Sequence, residues 1–263
     1  MTAHLTVAIG GLLISIHSDN REFIAMLEQR YGNFVRQTQA GIRLEVEIVE
    51  PRAVGDPEED LHVNFESGCW MMRRGDFLAC WDPASGRGAV RQSAYPYAID
   101  SVMRIIHSLM LARSGGFLLH AASAMCGGHA VLLSGVSGAG KTTIARLAPP
   151  EVTLLSDEIS YVRRGANGYM AFGTPFAGEL GVSGEDVSAP LSALYFLAKA
   201  PHNQLRPIAP AAAARMLLRN ILFFAADPIL VQELFRSACQ FAARVPAHEL
   251  CFRPDAEVWR LIA

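Results

Sequence analysis

The sequence predicts an α/β protein: a core over residues 96–263 built on a mixed sheet, preceded by an α+β lobe, mostly strands, over residues 1–95. Three observations carry that prediction. In the first part, Ile42, Leu44, Val46 and Ile48 alternate with Arg43, Glu45 and Glu47, the period-two pattern of a strand with one wet face. In the second, Ile99, Val102, Met103, Ile106, Leu109 and Met110 recur at helical spacing. Beyond them two apolar runs flank Gly127-Gly128, and the second run leads through a glycine-rich turn into a short helix.

The elements follow in chain order. Residues 5–16 are an apolar run, read as one buried strand. Asp19 and Glu22 match a capping box that opens a helix through Tyr31, with Phe23, Ile24, Leu27 and Tyr31 on one face and Gly32 closing it. After the alternating strand, residues 61–66, 69–72 and 76–81 read as short strands, with a turn at Asp82-Pro83. Gly115-Gly116 ends the long helix. Gly127-Gly128 is a two-residue hairpin signal, so Cys126 pairs with His129. Carried back along both strands, that register sets His120 opposite Gly135, beside the opening of the glycine loop. A helix over 141–148 stops at Pro149-Pro150, and a strand over 152–156 follows. Strands over 161–163 and 169–172 flank a Gly/Asn turn, and a Gly/Pro loop fills 173–184. A strand over 191–198, helices over 211–224 and 228–243, a strand over 249–252 and a closing helix over 254–262 complete the expectation.

Composition excludes several classes. The chain has 263 residues, 51% of them hydrophobic, enough for one large core with an appended lobe. A net charge of −2 with scattered basic residues fits neither a nucleic-acid binder nor a membrane-surface binder. The five cysteines include no C-x-x-C pair, which argues against a disulfide framework or a zinc ribbon and for buried thiols in a reducing cytoplasm. Residues 5–16 have no basic start and are too short to span a bilayer, so a cytoplasmic protein is expected. His4, His17, His62, His107 and His248 do not form a metal-ligand spacing.

The chemistry concentrates in residues 132–147, LLSGVSGAGKTTIARL. Gly135, Gly140, Lys141 and Thr142 fall in the order G-x-x-x-x-G-K-T, after a strand and before a helix. Wrapping a phosphate requires backbone N–H groups that point inward, and glycine supplies the dihedrals and the close approach. The candidate nucleotide-binding residues are Gly135, Ser137, Gly138, Ala139, Gly140, Lys141, Thr142 and Thr143. The lysine supplies a compact charge for the transferable phosphate, and the Thr142 hydroxyl is placed for Mg²⁺. Lys141 and Lys199 are the only lysines in a chain otherwise rich in arginine. Asp157-Glu158, at the end of the next apolar strand, is a second acidic element suited to a base or metal ligand. Only sixteen positions separate Lys141 from Asp157 (157 − 141), room for one short helix and a tight return. No N-K-x-D guanine reader or ABC-type signature occurs.

"LLHAASAMCGGHAVLLSGVSGAGKTTIARL" followed by "LLSDEIS" resembles the HPr serine kinase/phosphorylase family, whose P-loop core is shared with ATP-dependent phosphoenolpyruvate carboxykinases. The likeness covers residues 115–200 well and the rest of the C-terminal half loosely, and residues 1–95 have no counterpart in that family. It implies an HPr kinase/phosphoenolpyruvate carboxykinase-like core that binds ATP and Mg²⁺. By the same resemblance His120 is the histidine near the phosphates and Lys141 grips the transferred group. Asp157 takes the proton of the attacking serine hydroxyl. Glu158 stands in place of a second aspartate, and Glu179, in "GTPFAGELG", lies near a later metal-binding glutamate, although the longer signature there is absent. Thr142, Glu158 and Glu179 are therefore the expected metal ligands. The implied partner is a small protein or peptide bearing a serine hydroxyl; the resemblance does not fix a homo-oligomer, because the hexameric HPr kinases have an N-terminal domain that residues 1–95 do not match. The ending "ELCFRPDAEVWRLI" is similar to shorter HPr-kinase-like proteins, some of which accompany peptide-modification systems, including those for lasso peptides.

Other basic residues read as structural or solvated: Arg163 and Arg164 at a hairpin turn, Lys199 and Arg206 around His202-Asn203, and Arg215 with Arg219 on one helix face, where a phosphate clamp is the rarer alternative. Two further functions fit the same motif, a small-molecule P-loop kinase and a non-catalytic ATP-binding regulatory module. A simple ATPase fits the short spacing less well. A metabolite screen separates the first, and tight ATP binding without transfer to any partner marks the second.

Overall fold

The computed structural model describes residues 2–50, 60–136, 138–181 and 183–262. The chain is α/β, with an eight-stranded sheet and a nine-stranded sheet, and it divides into two compact units. The first comprises Met1–Leu109 with Phe223–Ile229, and the second Met110–Leu222 with Leu230–Ala263.

The first unit is β-rich. Its strands are β1 (Ala3–Ile9), β2 (Leu12–Ser18), β3 (Val35–Arg36), β4 (Ile42–Ile48), β5 (His62–Glu66), β6 (Cys69–Arg74), β7 (Phe77–Asp82) and β8 (Arg87–Gln92). They lie in the order β3-β1-β2-β4-β8-β7-β6-β5, with β4 parallel to β2 and β8 and the remaining pairs antiparallel. The apolar run over 5–16 is not one strand but a hairpin, with Leu5 opposite Ile16. Gly10 and Gly11 turn it at φ of 58° and 83°, values that side chains resist and that suit the tight turn of a right-twisted ribbon. In β4 the alternation holds: Ile42, Leu44 and Val46 are buried, and Arg43, Glu45 and Glu47 exposed. Helix α1 (Arg21–Tyr31) buries Phe23, Ile24, Leu27 and Tyr31 as expected, but its N-cap is Asn20, whose side chain accepts the Phe23 N–H at 2.9 Å, not Asp19. Such a cap contributes about 1 kcal/mol.

Helix α2 (Pro96–Ser114) ends at Gly115, which takes φ 77°. Its His107 is fully buried, and burial lowers its pKa to about 3. The folded chain therefore keeps this imidazole neutral down to about pH 3, whereas the unfolded chain binds a proton below the ordinary value of 6.5. Between those limits the unfolded state holds more protons, so stability falls as pH falls, by up to about 1.4 kcal/mol per pH unit from this group. Urea denaturation of the wild type and His107→Gln at pH 7, 5.5 and 4.5 tests this. The variant is expected to lose stability less steeply; equal slopes would refute the assignment.

The second unit holds the glycine loop. Strands β9 (Phe117–Cys126) and β10 (His129–Ser134) form the expected hairpin, Cys126 opposite His129 and Ala121 opposite Ser134. Then come α3 (Lys141–Arg146), β11 (Thr153–Ser156), β12 (Ile159–Gly165), β13 (Gly168–Phe172) and β14 (Ser188–Lys199). They are followed by β15 (Gln204–Ile208), α4 (Pro210–Leu218), β16 (Ile221–Leu222), α5 (Pro228–Ala242) and β17 (Ala247–Phe252). The sheet is mixed: β14 runs parallel to both β10 and β17, and the other pairs are antiparallel. The helix expected over 211–224 stops at Leu218, because the chain turns at Asn220 to pair β16 with β9. The closing segment is a 3-10 helix, Ala256–Leu261.

All five cysteines are free, but the expectation of buried thiols holds only for Cys251; Cys69, Cys80 and Cys126 are half-buried and Cys239 is exposed. Among the described residues no helix is long and apolar enough to cross a membrane.

Candidate functional site

Strand β9 organises the site. On one side its neighbour β10 ends at Ser134, opposite Ala121, and the chain leaves as the glycine loop. On the other side β11 pairs with Ser123–Met125 and β12 with Phe117–His120, so the two form one interrupted edge. Asp157 and Glu158 fill the interruption, and the Glu158 carbonyl accepts the Ala121 N–H at 2.9 Å. Loop and acidic pair thus meet at Ala121, and the neighbouring His120, whose N–H donates to the Asn220 carbonyl at 2.8 Å, stands beside both. This placement is what the hairpin register and the short Lys141-to-Asp157 spacing together imply.

The loop itself is shaped by glycine. Gly138 and Gly140 have φ of 76° and 106°, in the region where a side chain strains the backbone. A β-carbon on Gly140 would also lie 2.7 Å from the Phe252 ring. Below the loop, Ala139, Ile144, Phe252 and Trp259 belong to one buried cluster, and the Trp259 indole N–H donates to the Ile144 carbonyl at 3.1 Å. The last turn of α3 is thereby tied to the closing 3-10 helix. With six residues, α3 has a small dipole, so the donors this place offers an anion are the loop N–H groups and the lysine.

A cavity of about 420 Å³ opens at this place, lined by His120, Gly138, Gly140, Lys141, Thr142, Thr143, Asp157, Glu158, Glu179 and Lys199. A larger cavity of about 560 Å³ lies in the first unit, between β2, β4, β7 and β8; His17, Asp19, Glu45, Glu47, Cys80 and Arg91 are among its lining residues, which include no lysine and no glycine. Of the residues singled out in the sequence, Gly135 and Ala139 do not line the smaller cavity. Gly135 accepts the Lys141 Nζ at 3.2 Å through its carbonyl, and the Ala139 side chain is buried while its N–H donates to Val136. Ser137 lies outside the described residues. Arg163, Arg164, Arg206, Arg215 and Arg219 are not among the lining residues. Lys199, read from sequence as solvated, is one of them.

The charges face one another across this space. Burial lowers the pKa of the Lys141 ammonium, and Glu158 and Glu179 raise it again. Burial also lowers that of His120, with Lys141 acting in the same direction and Glu158 against, so the imidazole is neutral at pH 7. Asp157 is buried, and its two oxygens accept the backbone N–H groups of Gly178 (2.8 Å) and Leu180 (3.0 Å). The loop over 173–184 is therefore pinned to the acidic pair, and it carries Glu179 to the Thr142 hydroxyl at 2.9 Å.

The donor set suits Mg²⁺. It offers hard oxygen ligands, and a 2.9 Å separation is that of neighbouring oxygens around an octahedral ion with bonds of about 2.0–2.1 Å. Among the described residues no three His, Cys, Asp or Glu group as a self-sufficient metal cage.

Gly178 is the tight point of this arrangement. A β-carbon there would sit 2.6 Å from that of Glu158 and 3.0 Å from Asp157 Oδ2. Gly178→Ala must push the loop off the acidic pair. A displacement of about 1 Å commonly costs about 100-fold in rate, so any reaction catalysed at this cavity is expected to slow by that order with only a modest fall in melting temperature. Full activity in steady-state assays would show that the loop position is irrelevant.

A family model described as SynChlorMet cassette protein ScmC matches residues 96–262, well over half of the chain. The chain belongs to the ScmC family. Every residue lining the 420 Å³ cavity falls within the ScmC match. No curated protein matches this ScmC family member. Among solved structures, the Hpr(Ser) kinase/phosphatase from Coxiella burnetii matches at 14% identity and a TM-score of 0.28, over 45% of this chain and 88% of that one.

Proposed function

We propose that this protein is an ATP-dependent phosphotransferase that moves the γ-phosphoryl group to a hydroxyl, serine foremost, of a small protein or peptide. One observation carries the reading: Lys141, Thr142 and two positive-φ glycines share a single cavity with Asp157, Glu158 and Glu179. The resemblance of residues 115–200 to HPr serine kinases supports it. The SynChlorMet cassette is a peptide-modification system, which favours a peptide acceptor, a lasso-type precursor among the candidates.

In this reading the loop amides and Lys141 hold the triphosphate, and Lys141 turns from the Gly135 carbonyl to the γ-phosphate. His120, neutral at pH 7, offers a hydrogen bond to the phosphates or the incoming group. Asp157 receives the acceptor's hydroxyl proton while the hydroxyl oxygen bonds to phosphorus and the bond to the β-phosphate oxygen breaks. Each Asp157 oxygen, although bonded to an amide, keeps a further lone pair for this purpose. Thr142, Glu158 and Glu179 are the residues that would hold Mg²⁺, which when bound neutralises charge on the phosphates.

The test is transfer of the γ-phosphate from labelled ATP to the precursor peptide of the cassette and to serine-containing peptides, with mass spectrometry locating the product. Phosphoserine on the peptide is the expected result. ATP binding with no transfer to any peptide or metabolite would leave a regulatory module instead.

A further inference from the structure

We propose that Lys199 is a second cation for the nucleotide, binding the phosphate tail together with Lys141. The inference rests on the nucleotide reading of the cavity. The chain has 23 basic residues apart from histidine, and only Lys141 and Lys199 among them are lysines. The fold brings both to one cavity although they are far apart in sequence.

The topology explains how. Strand β14 runs parallel to β10, with Phe196 opposite Ser134, so the two strands finish at the same edge of the sheet. From the end of β10 springs the glycine loop; the last residue of β14 is Lys199. On its other side Lys199 is paired with Phe252, whose ring fills the space that a β-carbon on Gly140 would need. Lys199 is thus one pairing step from the residue that abuts the loop just before Lys141. Ligands of open α/β sheets collect at this carboxyl edge of parallel strands.

Chemistry agrees with the placement. Lys199 is exposed, and among the described residues it forms no ion pair, although Asp157, Glu158 and Glu179 line the same cavity. A compact ammonium without a carboxylate partner suits a phosphate oxygen as a point charge, a task for which arginine's planar fork is a different tool. One lysine leaves much of a triphosphate's negative charge unmatched, and a second within the same cavity offsets more of it.

The experiment uses the scarcity of lysine. The full chain is acetylated with an amine-selective reagent at increasing Mg-ATP, and peptide mapping follows Lys141 and Lys199 separately from the terminal amine. Both are expected to be protected along one saturation curve. By calorimetry Lys199→Met is expected to bind Mg-ATP about tenfold more weakly, as for loss of one charge-assisted contact, and Lys199→Arg to recover part of the loss. If Lys141 is protected while Lys199 reacts at its unliganded rate, the inference fails and the nucleotide reading stands. If Lys199 is protected but Lys199→Met binds normally, the lysine is merely shielded and the inference also fails. Protection of neither residue would overturn both.

Discussion

Asp157→Asn is expected to remove phosphoryl transfer, by about 10³-fold or more, while the protein still binds Mg-ATP. General-base catalysis supplies about 10²–10⁴-fold, and an amide cannot take the acceptor's proton. The structure adds a second effect. Both Asp157 oxygens accept backbone N–H groups, from Gly178 and Leu180. Asparagine offers one oxygen and one NH₂, so one of these amides faces a donor and loses its partner. An unsatisfied buried donor costs about 1–3 kcal/mol. The variant should therefore melt at a lower temperature and be cut faster by protease within 173–184. Ser183→Ala is a suitable control, because among the described residues the Ser183 hydroxyl makes only a long contact, 3.5 Å, to the Pro175 carbonyl of the same loop. Wild-type transfer rates in Asp157→Asn would exclude the base role; lost transfer with an unaltered loop would assign Asp157 to chemistry alone.

Lys141→Met should weaken Mg-ATP binding by about 100-fold, with its stability little changed. The ammonium is half-buried and, among the described residues, donates to one carbonyl, that of Gly135, so the folded chain gives up little. The nucleotide loses a charge-assisted contact in a partly desolvated place, where such contacts are strongest. Calorimetry with magnesium present reads this directly. If the wild type itself gave no heat with ATP or GTP, the phosphate site would not exist; equal affinities for wild type and variant would mean that nucleotide binds elsewhere.

Much of the second unit was legible because its signals are local. Gly127-Gly128 between apolar runs fixes the hairpin, and the hairpin register carries His120 to the loop without any long-range information. The glycine loop declares itself through residue types that its backbone and its ligand both require. The same glycine signal at Gly10-Gly11 is masked, since the run over 5–16 is apolar on both sides of it but for Thr6 and Ser15. Strand β8 is hidden because RGAVRQ shows almost no apolar alternation, and β15 because QLRPI is short, largely polar and carries Pro207. Proline is tolerated there since β15 lies at the edge of its sheet. Lys199 could not be placed from its neighbourhood at all. Its position depends on the parallel pairing of β14 with β10, in which Ser134 meets Phe196, 62 positions on in sequence (196 − 134). The pinning of 173–184 was hidden for the same reason, although "GTPFAGELG" did mark Glu179.

The bond from the Trp259 indole to the Ile144 carbonyl has a practical use. The chain has three tryptophans, and the other two, Trp70 and Trp81, belong to the first unit. In a Trp70→Phe/Trp81→Phe double variant, the one remaining fluorophore is bonded to the segment that follows the glycine loop. Its emission colour and lifetime would report, without any attached dye, whether filling the loop changes the strain on that helix.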